Sequence, residues 1–289
     1  YKGFEFDTSQ QVTLEQDLSR RDLTINAIAQ DGDALIDPFG GQQDISNGLL
    51  RHVSDAFSED PVRVLRVARF AARFKPFGFK VAHPTHQLMK QMSASGEVDA
   101  LTPERVFKEL NKALSYQTPS AFFKVLSACG AYEKIFPMLE NSAQQQHNNA
   151  FEFLDQLDTD STVVKFSFWL CHESESNIQQ LCQQIRVPKE YEQLSVLSAQ
   201  WHAFAKRFVQ HEPEAILEFF IKTDALRRKD RFKELLNVFA LLTIDTQPIK
   251  QLQMALSKID VSKLDKSNIK QALYQQRCAV IALFLNTTK

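Results

Sequence analysis

The spacing of apolar positions changes character once along the chain, near residue 59. Before it the pattern is mixed: Phe4-Glu5-Phe6 and Gln11-Val12-Thr13-Leu14 alternate as strands do, and Ile28-Ala29-Gln30, Asp31-Gly32-Asp33 and Ala34-Leu35-Ile36 read as strand, tight turn, strand. From Glu59 onward apolar residues recur at helical spacing. Helices are predicted near 61–74, 84–94, 103–115 and 119–129, with Pro84, Pro103 and Pro119 at or near first-turn positions and Thr102 and Thr118 as N-caps. Glu104 falls in a first turn, where the helix dipole favours an acid. The polar run Gln144-Gln145-Gln146-His147-Asn148-Asn149 reads as a linker or loop. Beyond it, amphipathic stretches rich in Phe are predicted at 150–157, 163–171, 176–186, 190–209, 213–221, 228–242, 247–257 and 267–285. Eight glycines in the whole chain suit a helix-dominated architecture with few tight turns, and no repeat of fixed period is present.

Composition narrows the class. With 289 residues and 44% apolar content the chain can bury a large core, split over two or more units, and reads as a soluble globular protein. Lys plus Arg number 34 against 35 Asp plus Glu, a net charge of −1, so any contact with nucleic acid must come from local basic patches. Cys129, Cys171, Cys182 and Cys278 are scattered without Cys-x-x-Cys spacing, which implies neither a structural zinc site nor a disulfide framework and fits a reducing cytoplasm. No apolar stretch reaches the roughly 18–20 residues of a membrane span, and no signal-peptide pattern is seen.

The candidate chemistry lies in two polar blocks, Arg20-Arg21-Asp22-Leu23-Thr24-Ile25-Asn26-Ala27 and Glu59-Asp60-Pro61-Val62-Arg63-Val64-Leu65-Arg66-Val67-Ala68-Arg69-Phe70. On a helix opened by Asp60 and Pro61, at about 100° per residue, Arg63, Arg66, Arg69 and Arg73 fall within roughly 120°. Four guanidiniums on one face of an otherwise apolar helix cannot all look at bulk water, so some must point into a cleft. A guanidinium fork offers paired donors to phosphate oxygens or a base edge, which makes a nucleotide the natural ligand. By composition alone the first block could equally be a capped turn, and the second a helix N-cap with a first-turn salt bridge. Arg105, Lys108, Lys112 and Lys124 read as a solvated face in preference to a dedicated site. Arg227-Arg228-Lys229-Asp230-Arg231, with Lys233, is the densest basic cluster of the C-terminal half and is either solvent-facing or a grip on an RNA backbone. His83 and His86 read as loop and helix-start residues rather than metal ligands.

Arg-Arg-Asp-x-Thr-x-Asn-Ala from Arg20, followed by Asp37-Pro38-Phe39-Gly40-Gly41, Gly48-Leu49-Leu50-Arg51-His52-Val53 and Glu-Asp-Pro-x-Arg-x-Leu-Arg from Glu59, resembles the class II tRNA nucleotidyltransferases of the bacterial CCA-adding type. The similarity is dense from Tyr1 to about Pro137 and returns in patches such as Leu181-Cys182-Gln183-Gln184-Ile185-Arg186-Val187-Pro188. The resemblance implies an α+β fold: part of a nucleotidyltransferase β-sheet head over 1–54, then an all-helical remainder, with a neck over 55–137 that carries the nucleotide template and a tRNA-binding body and tail over 138–289. It implies addition of C, C and A to tRNA 3′ ends from CTP and ATP, with release of pyrophosphate. Carried over by residue, Arg21 contacts the triphosphate, Asp22 reads the ribose 2′-hydroxyl and Asn26 sits beside the same pocket. Asp60 and Arg63 act as a protein template for the base, and Arg66 and Arg69 hold phosphates, with Arg73 open between a surface and a functional role. Arg227, Arg228, Lys229 and Arg231 would grip the tRNA. Bacterial poly(A) polymerases share Glu-Asp-Pro-Val-Arg and remain an alternative, as does a non-catalytic tRNA-binding remnant; addition of CC alone or A alone also stays open.

Nucleotidyl transfer uses carboxylates to hold two Mg²⁺ ions. The family supplies them from Gly-Gly-x-x-Arg-Asp and Asp-x-Asp segments upstream of the position matched by Tyr1, and the chain contains neither motif at a suitable place. The expectation is a chain incomplete at its N-terminus, with no catalytic or metal-binding residues of its own and inactive by itself. Relatives that carry a metal phosphohydrolase domain sign it with His-Asp; here Cys171-His172-Glu173 has Glu in that position and no His-rich segment following, so no hydrolase activity is expected.

Overall fold

The computed structural model describes residues 12–139, 151–263 and 268–288. The alternation at Phe4–Phe6 and the polar run Gln144–Asn149 lie outside them. The described residues divide into two compact units, the first drawn from Tyr1–Thr162 with Gln180–Val187 and the second from Val163–Gln179 with Pro188–Lys289.

In the first unit, the strand expected at Gln11–Leu14 is not formed over its described residues, Val12–Leu14. Leu14–Ser19 is instead helix α1, because Thr13 and Gln16 make a reciprocal capping box: the Gln16 amide donates to the Thr13 hydroxyl at 3.2 Å and the Thr13 amide to the Gln16 side chain at 2.9 Å. Four alternating residues did not reveal that cap. The expected hairpin is present as β1 (Ala29–Asp31) and β2 (Ala34–Ile36), paired antiparallel, with Gly32 supplying the positive φ of 58° that a two-residue turn needs. Helix α2 (Gly41–Asn47) starts where Asp37 accepts from the amides of Gly41 and Gln42 at 2.7 and 2.8 Å. Burial pushes the Asp37 carboxyl upward, but the amide bonds outweigh it and hold the group below its ordinary value. Strand β3 (Leu49–Leu50) runs parallel to β4 (Lys80–Val81), and Leu23 bridges antiparallel to His52.

Helix α3 (Val62–Phe74) is the spine of this unit. Val64, Leu65, Val67, Ala68 and Ala72 are completely buried. After α4 (His83–Ser95), helices α5 (Pro103–Leu114) and α6 (Ser120–Ala128) pack against α3, and the short α7 (Tyr132–Ile135) follows. Thr118 does not cap α6. Its hydroxyl donates to the Ala72 carbonyl at 2.7 Å, satisfying one of the acceptors left without an intrahelical donor at the end of α3. Thr102 occupies the N-cap position of α5 without a side-chain cap bond. Phe123 stacks on Phe151 with centroids 4.4 Å apart, edged by Phe122 and Tyr132.

Thr162–Leu170 (α8) and Glu175–Gln184 (α9) lead into the second unit, which continues with α10 (Lys189–Lys206), α11 (Pro213–Lys222), α12 (Lys229–Leu241), α13 (Gln247–Ser257) and α14 (Ile269–Thr288). Here α10 packs on α12 and α11 on α14. Phe219 is completely buried at the centre of an aromatic cluster with Trp201, Phe204, Phe208, Phe220 and Phe232. Among the described residues no helix is long and apolar enough to cross a membrane.

Candidate functional site

The residues ahead of α3 place two opposite charges on one cleft. Asp60 is extended, with φ −133°, and Pro61 turns the chain into the helix. The Asp60 side chain folds forward so that Oδ1 accepts from the Val62 amide at 3.1 Å, satisfying a first-turn donor. It is 6% exposed, and an ionised carboxylate that deep needs a cation. Arg105 of α5 provides it, its Nη1 donating to Oδ1 at 3.0 Å and to Oδ2 at 3.2 Å. Arg63 is held differently: Nη1 donates to the Ala56 carbonyl at 2.6 Å and Nη2 to the Arg20 carbonyl at 2.7 Å. The two side chains therefore line the same cavity from separate anchors and are not locked to each other.

The facing wall comes from the first polar block. Asp22 is buried; its Oδ1 accepts from the Leu23 amide and from Asn26 Nδ2, both at 3.0 Å, and its Oδ2 from Arg66 Nε at 2.7 Å. This turn is fastened to the head below it. The Thr24 amide donates to the Arg51 carbonyl at 2.9 Å, and the Thr24 hydroxyl to Asp44 Oδ2 at 2.7 Å, while Arg51 Nε also reaches Asp44. Gly41 sits so close beneath it that a Cβ there would lie deep inside contact distance of the Thr24 carbonyl and 2.8 Å from an Ile28 side-chain carbon, which is why the second glycine of Asp-Pro-Phe-Gly-Gly is required. Arg20 and Arg21 stand at the rim, each donating to Asp17 at 2.6 and 2.7 Å. Those two guanidinium bonds, Arg21 first, hold the Asp17 carboxyl below its usual range.

The cleft so formed has a volume of about 620 Å³, with Val62 and Phe70 as its apolar surface. Six arginines, Arg20, Arg21, Arg63, Arg66, Arg73 and Arg105, face two aspartates, Asp22 and Asp60. In a chain whose net charge is −1, this is a strong local concentration of positive charge, suited to a polyanion with a polar ring attached.

Of the residues singled out in the sequence, Arg21, Asp22, Asn26, Asp60, Arg63 and Arg66 meet on this cleft, and Arg73 joins them with its guanidinium 5.2 Å from the Phe74 ring centre. Arg69 does not. It is buried, its Nε bonded to Glu109 of α5, its Nη1 3.3 Å from the Tyr116 hydroxyl and its guanidinium 4.2 Å from the Phe70 ring centre. At the edge of the arginine arc, about 120° from Arg63, it turns towards α5 and away from the phosphate position expected for it. Burial opposes its charge, but Glu109 and Tyr116 more than compensate and hold the proton more tightly than in a free arginine. Arg105, read as part of a solvated face on a helix that the resemblance implies supports the template helix, itself lines the cleft. A cation near the start of an amphipathic helix gives no sign of its partner until α3 is packed beside it.

The basic cluster of the second unit is not uniform. Arg227 and Arg228 are exposed and reach back to Asp224 at 3.9 and 3.5 Å, and Lys229 is exposed. Arg231 is half-buried, donating to Gln193 Oε1 at 3.2 Å and to the Thr223 carbonyl at 3.0 Å. With Lys189 and Lys222 it lines a second cleft of about 260 Å³.

Among the described residues no three His, Cys, Asp or Glu side chains gather as a metal would require, and the two carboxylates of the main cleft are already engaged by Arg66 and Arg105. The described residues do not fit a magnesium ion. His172 meets the ring of His202 edge-on at 5.0 Å.

Known proteins share the sequence pattern and the fold. The family profile described as "Poly A polymerase head domain" matches residues 3–51, and that described as "Probable RNA and SrmB- binding site of polymerase A" matches residues 78–142. The CCA-adding enzyme of Coxiella burnetii is 42% identical over 276 residues, covering 93% of this chain and 72% of that enzyme. A solved structure of a CCA-adding enzyme with ATP superposes with a TM-score of 0.69 at 19% identity, over 95% of this chain and 69% of the other. The Thermotoga maritima CCA-adding enzyme complexed with tRNA gives 0.64 at 19%, over 96% and 75%. At those identities the two structures show a shared fold.

Proposed function

Because the chain belongs to the family of CCA-adding enzymes, we propose that the arginine-lined cleft takes the incoming nucleoside triphosphate and that the protein adds C, C and A to tRNA 3′ ends from CTP and ATP, releasing pyrophosphate. The observation that carries this reading is that Asp60 and Arg63 open onto one cavity while each is held by other groups. Cytosine and adenine both present an exocyclic amino donor beside a ring-nitrogen acceptor. Asp60 accepts from the first and Arg63 donates to the second. Uracil and guanine reverse both positions, setting acceptor against acceptor and donor against donor. Each such desolvated, unpaired group costs about 1–3 kcal/mol, so two mismatches suffice for selection of roughly thirtyfold or more.

The rest of the cleft has matching roles. Asp22 Oδ1 already accepts two hydrogen bonds, whereas Oδ2 accepts only that of Arg66 and keeps capacity for a ribose hydroxyl. Arg66 anchors itself through Nε and leaves its terminal nitrogens for phosphate, alongside Arg21. Divalent metal belongs to this family's chemistry, and the part assigned here to the described residues is binding, orientation and selection. In the second unit, Arg227, Arg228, Lys229 and Arg231 are proposed to hold the tRNA backbone through phosphate contacts, which makes the affinity strongly dependent on salt.

The test is nucleotide choice. Arg63→Ala should reduce the preference for CTP and ATP over UTP and GTP, measured as dissociation constants. Unchanged discrimination removes the template role. Asp22→Ala should relax the preference for ribo- over deoxynucleotides, and continued refusal of dCTP would leave Asp22 a structural residue.

A further inference from the structure

We propose that Arg105 is a positioning residue for base selection: from α5 it holds the Asp60 carboxylate in the orientation that reads the base, so that the template is built by two helices and not by α3 alone. This rests on the reading of Asp60 and Arg63 given above. The geometry divides the two carboxylate oxygens into different tasks. Oδ1 accepts from the Val62 amide at 3.1 Å and from Arg105 Nη1 at 3.0 Å, which uses both of its lone-pair directions. Oδ2 receives only the longer Arg105 bond at 3.2 Å and is the oxygen with capacity for an amino group on a base. Without the guanidinium, Asp60 would be a buried anion with a single backbone donor. Such a group turns outward to water or seeks another cation. The nearest alternative on its own helix, Arg63, is committed to the carbonyls of Ala56 and Arg20. Only Arg105 fixes the acceptor without consuming the donor that must lie beside it.

A second ion pair between the same two elements has the opposite polarity. Asp60 takes its cation from α5, while Arg69 of α3 takes its anion, Glu109, from α5 one turn beyond Arg105. The Arg69 pair is nearly fully enclosed, with side chains 7% and 6% exposed, whereas the Arg105 side chain is 43% exposed and itself borders the cleft. The inner pair holds the helices together and the outer one orients a reading group. This division of labour explains why a residue of α5 should matter to nucleotide choice.

The experiment measures dissociation constants of CTP, ATP, UTP and GTP by calorimetry for the parent protein and for Asp60→Ala, Arg105→Met, Arg105→Gln and Arg105→Lys, with thermal melting of each. The parent is expected to prefer CTP and ATP, and Asp60→Ala to lose that preference. Arg105→Met and Arg105→Gln should narrow it by about ten- to a hundredfold, mainly through weaker binding of CTP and ATP, the magnitude of losing an oriented acceptor. Arg105→Lys should recover part of it, since an ammonium restores the charge without the fork. A parent-like preference in whichever of the Met and Gln variants remains folded, or no recovery in Arg105→Lys, overturns the role given to Arg105. If Asp60→Ala keeps the parent preference, or the parent has none, the template reading itself falls and takes this inference with it.

Discussion

Arg69 separates a structural guanidinium from a ligand-binding one, and a pair of substitutions can tell which it is. In Arg69→Met the charge of Glu109 stays behind at 5% exposure with its partner gone. Breaking a buried pair from one side costs about 3–5 kcal/mol. The lost stacking on Phe70, 4.2 Å from the guanidinium, adds roughly 0.5–1 kcal/mol. For a domain of this size each kcal/mol lowers the melting temperature by about 2–4 °C, so the first unit should melt roughly 7–24 °C earlier. Arg69→Met with Glu109→Met removes both charges and fills the space with apolar atoms. What is then lost is the Tyr116 contact at 3.3 Å and the stacking, so the double variant should lie within about 2 kcal/mol of the parent. Melting measured by circular dichroism gives the stabilities, and calorimetry gives CTP affinity on the same samples. CTP affinity of the double variant should stay within about threefold of the parent, as for a residue outside the cleft. A double variant that regains its stability yet binds CTP tenfold or more weakly would show that Arg69 holds phosphate after all. A single variant that melts within about 2 °C of the parent would refute the buried-pair argument.

Other consequences follow from the same contacts. Gly41→Ala forces a methyl against the Thr24 carbonyl, a backbone atom that cannot step aside, and should cost at least the 1–3 kcal/mol typical of overpacking, read as a lower melting temperature together with weaker nucleotide binding because Asp22 and Asn26 share that turn. Burial lowers the His52 pKa below 6.5, with Asp55 opposing and Arg51 assisting. Folded His52 thus takes up its proton at lower pH than the unfolded chain does, so its share of stability is complete above about pH 6.5 and is lost as pH falls through the window beneath. Urea unfolding at pH 7.5 and pH 5 should show a smaller loss in His52→Gln than in the parent. In the second unit, Arg228→Ala should weaken tRNA binding without changing nucleotide choice and should reduce the slope of log affinity against log salt by about 1; an unchanged slope would place Arg228 outside the tRNA path.

Local signals were legible where a residue's partners lie a few positions away. Asp60 and Arg63 are three residues apart around the start of one helix, and the resemblance implied that they act together; both line the cleft. Asp22 and Asn26, four apart in a tight turn, were likewise brought together by the resemblance, since by composition that block could equally be a capped turn, and the long amphipathic helices fell within a few residues of their expected ends. What the sequence concealed depends on a second element. Arg69 belongs by spacing to the arginine face, and only the position of Glu109, forty residues on, turns it inward. Arg105 has the mirror-image history, since its surface-like pattern hides a partner forty-five residues earlier. Thr118 was a plausible cap by type and position, but the end of α3 competes for its hydroxyl. At Thr13 a short alternation suggested a strand where a capping box starts a helix.

On the proposed reading, Asp60 and Arg63 together recognise the Watson–Crick edge of the incoming base. A crystal structure of the protein with bound CTP tests it most directly. The cytosine should lie in the plane between the two side chains, its amino group about 3 Å from Asp60 Oδ2 and its ring nitrogen about 3 Å from a terminal nitrogen of Arg63, with Arg105 still on Asp60. A CTP held by its phosphates alone, its base in solvent or against Phe70 with neither group in reach, would contradict the account.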